Sequence, residues 1–355
     1  MSRVILKGVK KSFGDFVALH ELDLEIHEGE FLTLLGPSGC GKTTTLRLIA
    51  GFIEPTQGTI LLEDEDVTKV APQHREIGMV FQDYALFPHM TIADNIAFGL
   101  KERRYPQKDI DDRVRGLLDL IRLPEVHDRY PAEVSGGQQQ RIAVARAVAY
   151  PPKVLLMDEP LGALDLKLRE TMQLELRRIQ QELGITTVYV THDQTEAMNM
   201  SDRIVVMNAG RIEQMGGAEE IYNEPTTRFV ADFVGQINLF NAYDYVPDTG
   251  LLKLDVLDKT VGVSANVNIQ GDSLCIGVRP EDITLIDPAE KPKDFNCLEG
   301  TISGRTFAGN LTRLFIDVGL EKPVILEAKS QSISSVAGEK VSIGWPVALS
   351  KLLSD

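Results

Sequence analysis

Gly36-Pro37-Ser38-Gly39-Cys40-Gly41-Lys42-Thr43 constrains this chain more than any other stretch. It satisfies the pattern G-x-x-x-x-G-K-[ST], follows the apolar run Phe31 to Leu35, and leads into a helix-forming segment from Thr44 to Gly51. A glycine-rich turn between a buried strand and a helix leaves successive backbone N–H groups free to wrap a phosphate. Lys42 can then reach the β- and γ-oxygens as a point charge, and the Thr43 hydroxyl can ligate Mg²⁺. Such a loop requires an α/β architecture around it.

The surrounding pattern agrees. Val154 to Met157 and Ile185 to Val190 are short, continuously apolar or β-branched runs, as buried strands of a parallel sheet are. Ile110, Val114, Leu117 and Ile121 recur at helical spacing, as do Leu168, Met172, Leu176, Ile179 and Leu183. Alternating short strands and amphipathic helices are expected as far as about residue 235. From about Tyr243 the texture changes to short alternating segments: Leu251 to Leu257, Leu274 to Val278, Leu298 to Ser303, Thr312 to Val318, Val324 to Ala328 and Val341 to Leu349. These predict a small all-β barrel or sandwich. The 355 residues therefore divide into an α/β domain over 1–237, with a helical subdomain at about 89–150, and a β-rich domain over 243–355.

Composition removes several classes of function. The formal net charge is −15, which argues against nucleic acid or an anionic membrane surface as the main partner. No apolar run approaches the roughly 18 residues of a membrane helix, and the first residues lack the apolar core of a signal peptide, so a cytosolic chain is expected. The three cysteines, Cys40, Cys275 and Cys297, are an odd number without metal-like spacing, as suits reduced thiols. Cys40 reads as a small residue that fits its loop.

Two carboxylates, Asp158 and Glu159, end the apolar strand that begins at Val154. Buried strands do not finish in Asp-Glu without a partner for the charge, and Mg²⁺ is the obvious one. Alternation sends the two side chains in different directions. Asp158 would hold the metal shell, and Glu159 would face the γ-phosphate and orient or deprotonate water. His192, two residues past another strand, stands at the sheet edge where ligands of open α/β folds collect, while His20, His27, His74, His89 and His127 read as structural. Gln82, after the strand-like Ile77 to Phe81, is a candidate for sensing Mg²⁺ and the attacking water.

Val134-Ser135-Gly136-Gly137-Gln138-Gln139-Gln140-Arg141 opens a second helix with a good N-cap and two glycines, so its first N–H groups stay uncovered at the positive end of the helix dipole. That is a second place built for an anion, and a kinase that uses only the first loop leaves it unexplained.

Taken together, the loop Gly36 to Thr43, Gln82, Ser135-Gly136-Gly137-Gln138, Asp158-Glu159, Leu164-Asp165 and His192 stand in the order found in ATP-binding subunits of ABC transporters, which the chain resembles over essentially its full length. The resemblance implies that Gly36, Ser38, Gly39, Cys40, Gly41, Lys42, Thr43 and Thr44 hold ATP and Mg²⁺, with Gln82, Asp158 and Asp165 contributing. It implies that Ser135 to Gln138 bind the nucleotide held by a second copy, so that two chains sandwich two ATP molecules head to tail. It also implies that Phe13 stacks on adenine; the alternative is a core aromatic on the first strand.

Asp83 to Met90 form an apolar and aromatic loop, and in importers this region with the helical segment to about Tyr150 receives a helix of a membrane subunit, although Leu86 and Phe87 also suit packing beneath that segment. The segment Gly277-Val278-Arg279-Pro280-Glu281-Asp282 is similar to the TOBE-like regulatory domain of importer ATPases for polyamines, ferric iron, sugars or phosphonates, and Phe229 to Asn241 is most similar to the spermidine/putrescine branch. The implied partners are two transmembrane permease subunits and, indirectly, an extracytoplasmic solute-binding protein, with the chain peripheral at the cytoplasmic face. A soluble ABC-type ATPase acting on ribosomes or DNA is the competing class, for which the single ATP domain and acidic balance are a poor match.

Overall fold

A computed structural model describes residues 2–162, 164–246, 248–254, 259–263, 274–287, 292–332 and 335–354. Its contacts divide the chain into two units, Met1–Ala218 and Glu219–Asp355.

The first unit begins with β1 (Val4–Phe13) and β2 (Phe16–Ile26), which pair antiparallel, and then β3 (Phe31–Leu35). Next come α1 (Lys42–Ala50), β4 (Gln57–Leu62), β5 (Glu65–Asp66) and β6 (Ile77–Val80). The helical subdomain contributes α2 (Ile92–Glu102), α3 (Gln107–Leu120) and α4 (Gly136–Ala147). After it follow β7 (Val154–Asp158), α5 (Leu166–Leu183), β8 (Thr186–Thr191), α6 (Gln194–Met200), β9 (Arg203–Asn208) and β10 (Arg211–Gly216).

Six strands form the central sheet in the order β10-β9-β3-β8-β7-β6, with β9, β3, β8, β7 and β6 parallel and β10 antiparallel at the edge. The continuous apolar runs follow from burial on both faces. Leu155, Met157 and Tyr189 join the core beneath the helical subdomain, while the alternate residues Val154, Leu156, Val188 and Val190 join a second core with α1 and the N-terminal strands.

The N-terminal region departs from the expected simple alternation of strands and helices. Residues 4–66 also contribute a four-stranded antiparallel sheet, β2-β1-β4-β5, lying over the α1 side. Register shifts after Leu6, Val9 and Lys11 break the period of two along β1, which is why the strand does not stand out in the sequence. Arg75 completes this side: it is buried and donates to the carbonyls of Leu48 and Ile49 at the C-terminal end of α1, and to those of Val70 and Thr68. A cation there satisfies carbonyls that the helix cannot, and favours the negative end of its dipole.

The second unit carries α7 (Ala218–Asn223) and α8 (Arg228–Phe233) before its strands. Strands β11 (Asn238–Val246), β12 (Leu251–Leu254), β13 (Thr260–Gly262), β14 (Leu274–Val278) and β15 (Thr284–Ile286) come first. They are followed by β16 (Phe295–Ala308), β17 (Leu311–Asp317), β18 (Val324–Lys329), β19 (Lys340–Pro346) and β20 (Lys351–Ser354). All pair antiparallel, in sheets ordered β13-β12-β11-β14-β20 and β15-β19-β16-β17-β18. Phe240 and Trp345 stack at 5.4 Å in the shared core.

The strand expected over Leu251 to Leu257 is described only to Leu254, the rest lying outside the described residues. The run Val341 to Leu349 is a strand only to Pro346, after which the chain turns.

The division at Ala218 also differs from the boundary expected at 237. Arg279 accounts for it: its guanidinium donates to the carbonyls of Tyr222, Ala231 and Gln236 and lies 4.0 Å from the Tyr222 ring centre. Tyr222 in turn donates to Glu281, and Lys351 pairs with Glu224. Residues 219–237 are thereby bound to the β-rich unit by contacts distant in sequence.

Candidate active site

The phosphate loop leaves the central strand β3 and enters α1 at Lys42. Gly41 is the N-cap at φ +107°, where a side chain would be strained and its Cβ would meet Leu19 at 2.6 Å. Gly36 has no room either: a Cβ would lie 2.3 Å from the Met207 carbonyl oxygen and 2.6 Å from Cys40 Sγ. Cys40 is buried, with its thiol pushed up by burial, as a small packing residue should be. Lys42 is only 4% exposed, and its Nζ donates to the carbonyl oxygens of Gly36 at 2.7 Å and Pro37 at 3.0 Å. The ammonium is therefore held across the loop by the loop itself.

Beside it, Thr43 Oγ1 donates to Asp158 Oδ1 at 3.3 Å, bringing the end of β7 against the start of α1. Burial holds the Asp158 carboxyl above its ordinary range, with the charge of Glu159 adding to the shift and Thr43, Arg47 and Lys42 opposing it. A carboxylate kept short of water next to a hydroxyl suits a hard cation, so these two residues fit Mg²⁺.

Glu159 is the next residue. It adopts φ +44°, rare for a residue with a side chain, its N–H donates to the Val190 carbonyl, and its Oε2 lies 3.2 Å from His192 Nδ1.

A cavity of about 430 Å³ gathers Phe13, Phe16, Ala18, Ser38, Gly39, Gly41, Lys42, Thr43, Thr44 and Glu159. Phe13 is 49% exposed, which removes the core-aromatic alternative for it. Phe16 and Ala18 were not anticipated. The signal was present: Phe13-Gly14-Asp15-Phe16 is a tight hairpin in which the two phenylalanines are directly paired across the strands, and so share a face.

Other candidates lie outside the residues lining this cavity. Gln82 is exposed just beyond β6. Asp165 is the N-cap of α5, accepting from Leu168 N at 3.0 Å. Ser135 caps α4, its Oγ accepting from Gln138 N at 3.4 Å, while Gln138 Oε1 accepts from Ser135 N at 2.9 Å. Ser135 and Gly136 are exposed and Gly137 is buried against Leu168. Each of the two glycine stretches thus opens its own helix, α1 and α4.

Below β6 a groove of about 380 Å³ is lined by Phe81, Ala85, Phe87, Phe98, Arg103, Arg146 and Tyr150, among others. Phe87 lines it while also packing 4.7 Å from the Phe98 ring of α2, and Leu86 packs against the helical core. Arg146 donates to the carbonyls of Tyr84 and Ala85, both at positive φ, and lies over the Phe87 ring.

The description "ABC transporter" matches residues 19–162, and "TOBE domain" matches residues 276–349. Over 97% of the chain and 91% of the relative, the sequence is 47% identical to the spermidine/putrescine import ATP-binding protein PotA of Acidothermus cellulolyticus. For the protein of the same name in Vibrio cholerae the identity is 44%, over 99% of the chain and 94% of the relative. The chain belongs to the family of ABC transporter ATP-binding proteins. Solved structures agree: a Clostridium perfringens protein described as part of the ABC transporter complex cbiONQ superposes with TM-score 0.59 and 29% identity, over 62% of this chain and 90% of that one. A bacterial ABC transporter cassette solved as a dimer gives TM-score 0.54 and 33% identity, over 61% and 98%. This ABC ATPase has, among its described residues, no helix long and apolar enough to cross a membrane.

Proposed function

We propose that this ATPase powers import of a polyamine of the spermidine/putrescine class, as a head-to-tail dimer seated on two membrane permease subunits at the cytoplasmic face, with an extracytoplasmic binding protein delivering the solute. The observation that carries the cargo is similarity along both units to relatives named for spermidine/putrescine import. The groove beside Phe87 and Arg146 supplies an apolar, cation-edged surface for the permease.

In the catalytic reading, Lys42 and the N–H groups of the loop bind the β- and γ-phosphates, and Phe13 stacks on the base. Thr43 and Asp158 hold Mg²⁺, with Gln82 as a further ligand; the ion supplies neutralisation of phosphate charge. Glu159 orients and deprotonates the attacking water, and His192, already in contact with its carboxylate, steadies it at the γ-phosphate end. Ser135 to Gln138 cover the nucleotide of the second copy, with Asp165 near that interface. Closure then lasts only while the γ-phosphate is present, so hydrolysis becomes an opening motion.

The test is uptake of labelled spermidine and putrescine by cells carrying the chain or its Lys42→Ala variant, joined to mass spectrometry of proteins copurifying with tagged Glu159→Gln in ATP and mild detergent. Loss of uptake with Lys42→Ala and recovery of two multi-span proteins, or one in double amount, is expected. Unchanged polyamine uptake would overturn the cargo, and ribosomal or DNA-repair proteins in place of membrane proteins would overturn the transporter.

A further inference from the structure

Glu159 and His192 meet through a single side-chain contact, yet each comes from a different segment, and one guanidinium touches both segments. His192 is flanked by residues that are fixed on every side. Thr191 Oγ1 accepts from Asp193 N at 3.0 Å and donates to the buried Glu196 Oε2 at 2.7 Å, which also accepts from Tyr189 at 2.7 Å. Asp193 Oδ1 caps α6 by accepting from Thr195 N and Glu196 N. Its other oxygen accepts from Arg169 Nη1 at 3.0 Å. The second terminal nitrogen of Arg169 donates to the Leu164 carbonyl at 3.0 Å. Leu164 N donates to the Leu161 carbonyl, and Gly162 N donates to the Glu159 carbonyl to close a turn at Glu159, so two hydrogen bonds tie Leu164 back to that turn.

The geometry points to Arg169 as a positioning residue for hydrolysis: its guanidinium fork sets the Glu159 turn against the His192 segment, and so fixes the separation of the two catalytic side chains. The inference rests on the ATPase reading of this site. A purely neutralising cation for Asp193 and Glu196 would need only a point charge. Arg169 instead divides its two terminal nitrogens between a carboxylate on one segment and a carbonyl on the other, a planar two-armed grip that lysine cannot reproduce. Its Nε, 3.8 Å from Glu196 Oε1, makes no hydrogen bond, so the fork and not the stem does the holding. Neither Asp193 nor Leu164, which its terminal nitrogens hold, lines the nucleotide cavity, so among the described residues its bearing on that cavity runs through the Glu159 turn.

The experiment compares steady-state ATP hydrolysis by the full-length chain with Arg169→Lys and Arg169→Ala, with and without millimolar guanidinium. Both variants should lose kcat by roughly tenfold to a hundredfold, the scale of a misplacement near 1 Å, with KM for ATP within about twofold of the parent. Guanidinium should restore much of the loss in Arg169→Ala and none in Arg169→Lys, whose side chain fills the space. Parental kcat in Arg169→Lys would overturn the proposal, because charge alone would then suffice. A rise in KM matching the fall in kcat, or no rescue in a folded Arg169→Ala, would overturn it as well. If Arg169→Ala does not fold, Arg169→Lys decides alone through its kcat and KM. Absence of hydrolysis in the parent chain, by contrast, would remove the ATPase reading itself.

Discussion

The two glycine loops of this chain both stand at a helix N-terminus, the setting that suits an anion, but they are built differently. The loop Gly36 to Thr43 is exposed only at its tip, Ser38 and Gly39: Gly36, Cys40, Gly41 and Lys42 are buried, and Lys42, Thr43 and Asp158 already bond to one another or to the loop. The loop Ser135 to Gln138 is exposed at Ser135 and Gly136, and its polar groups are spent on capping their own helix. The first can bind a phosphate with what a single chain provides. The second opens a helix with its capping residue exposed and Leu164 and Leu168 against its glycines, and in the proposed reading its ligand would be presented by another surface. That asymmetry is what head-to-tail pairing would require.

The largest expected effect tests the side of the first loop. Glu159→Gln should lower hydrolysis by about 10²–10⁴-fold while ATP binding stays near the parent's, because the amide keeps the shape but cannot accept a proton. Rapid-quench measurement of phosphate release against nucleotide binding separates the two, and unimpaired turnover would take Glu159 out of its role. Next, Lys42→Ala should weaken ATP binding by about tenfold to a hundredfold, since hydrogen bonds to charged groups contribute roughly 1.5–3 kcal/mol. Titration with a fluorescent ATP analogue reads it directly. If the loss were confined to dimers, the comparison would fail, because the first loop would then be as incomplete as the second.

How much of this was legible depended on the distance over which each feature is specified. The strand Phe31–Leu35, the glycine loop and the pair Asp158-Glu159 are written in runs of five to eight residues, where burial on both sheet faces and phosphate-sized turns leave few choices of residue. The antiparallel sheet over residues 4–66 was not legible, because bulges along β1 scramble the alternation that announces a strand. The attachment of residues 219–237 to the second unit hangs on Arg279, whose partners Tyr222 and Ala231 are 57 and 48 residues away. Arg169 was invisible for the same reason: it sits in an ordinary amphipathic helix, and its meaning comes from Asp193, 24 residues on. Phe16 was hidden for a different reason: its only sequence signal is the hairpin that pairs it with Phe13, since an exposed aromatic at a turn carries no period.

Phe16 sharpens the comparison at smaller magnitude. Base stacking on an aromatic ring contributes about 1–3 kcal/mol by alanine substitution, so whichever ring carries adenine should cost roughly fivefold to a hundredfold in ATP affinity when removed. Phe13 is the less exposed of the two and has Lys11 Nζ 4.8 Å from its ring centre; Phe16 is 66% exposed. Phe13→Ala is therefore expected to show the larger loss and Phe16→Ala a loss of a few-fold, read as ATP against GTP or triphosphate alone. Equal affinities for ATP and triphosphate in both variants and in the parent would mean that neither ring touches the base.

The smallest expected effect on the isolated chain is also the most discriminating for the second loop. Ser135→Asp preserves the N-cap, because aspartate caps a helix about as well as serine and its charge suits the dipole, so stability should change by less than about 1 kcal/mol. The nucleotide cavity does not include residue 135, so ATP binding by the first loop should not change either. What should change is association: in the Glu159→Gln background, ATP-induced dimerisation followed by light scattering should be lost, since a carboxylate would face the γ-phosphate across the interface. Serine acting only as a cap predicts the reverse, a variant that dimerises as well as its parent. Since capping and anion binding place opposite demands on the charge of this one side chain, the substitution separates a loop that merely starts a helix from one that waits for a phosphate held by another chain.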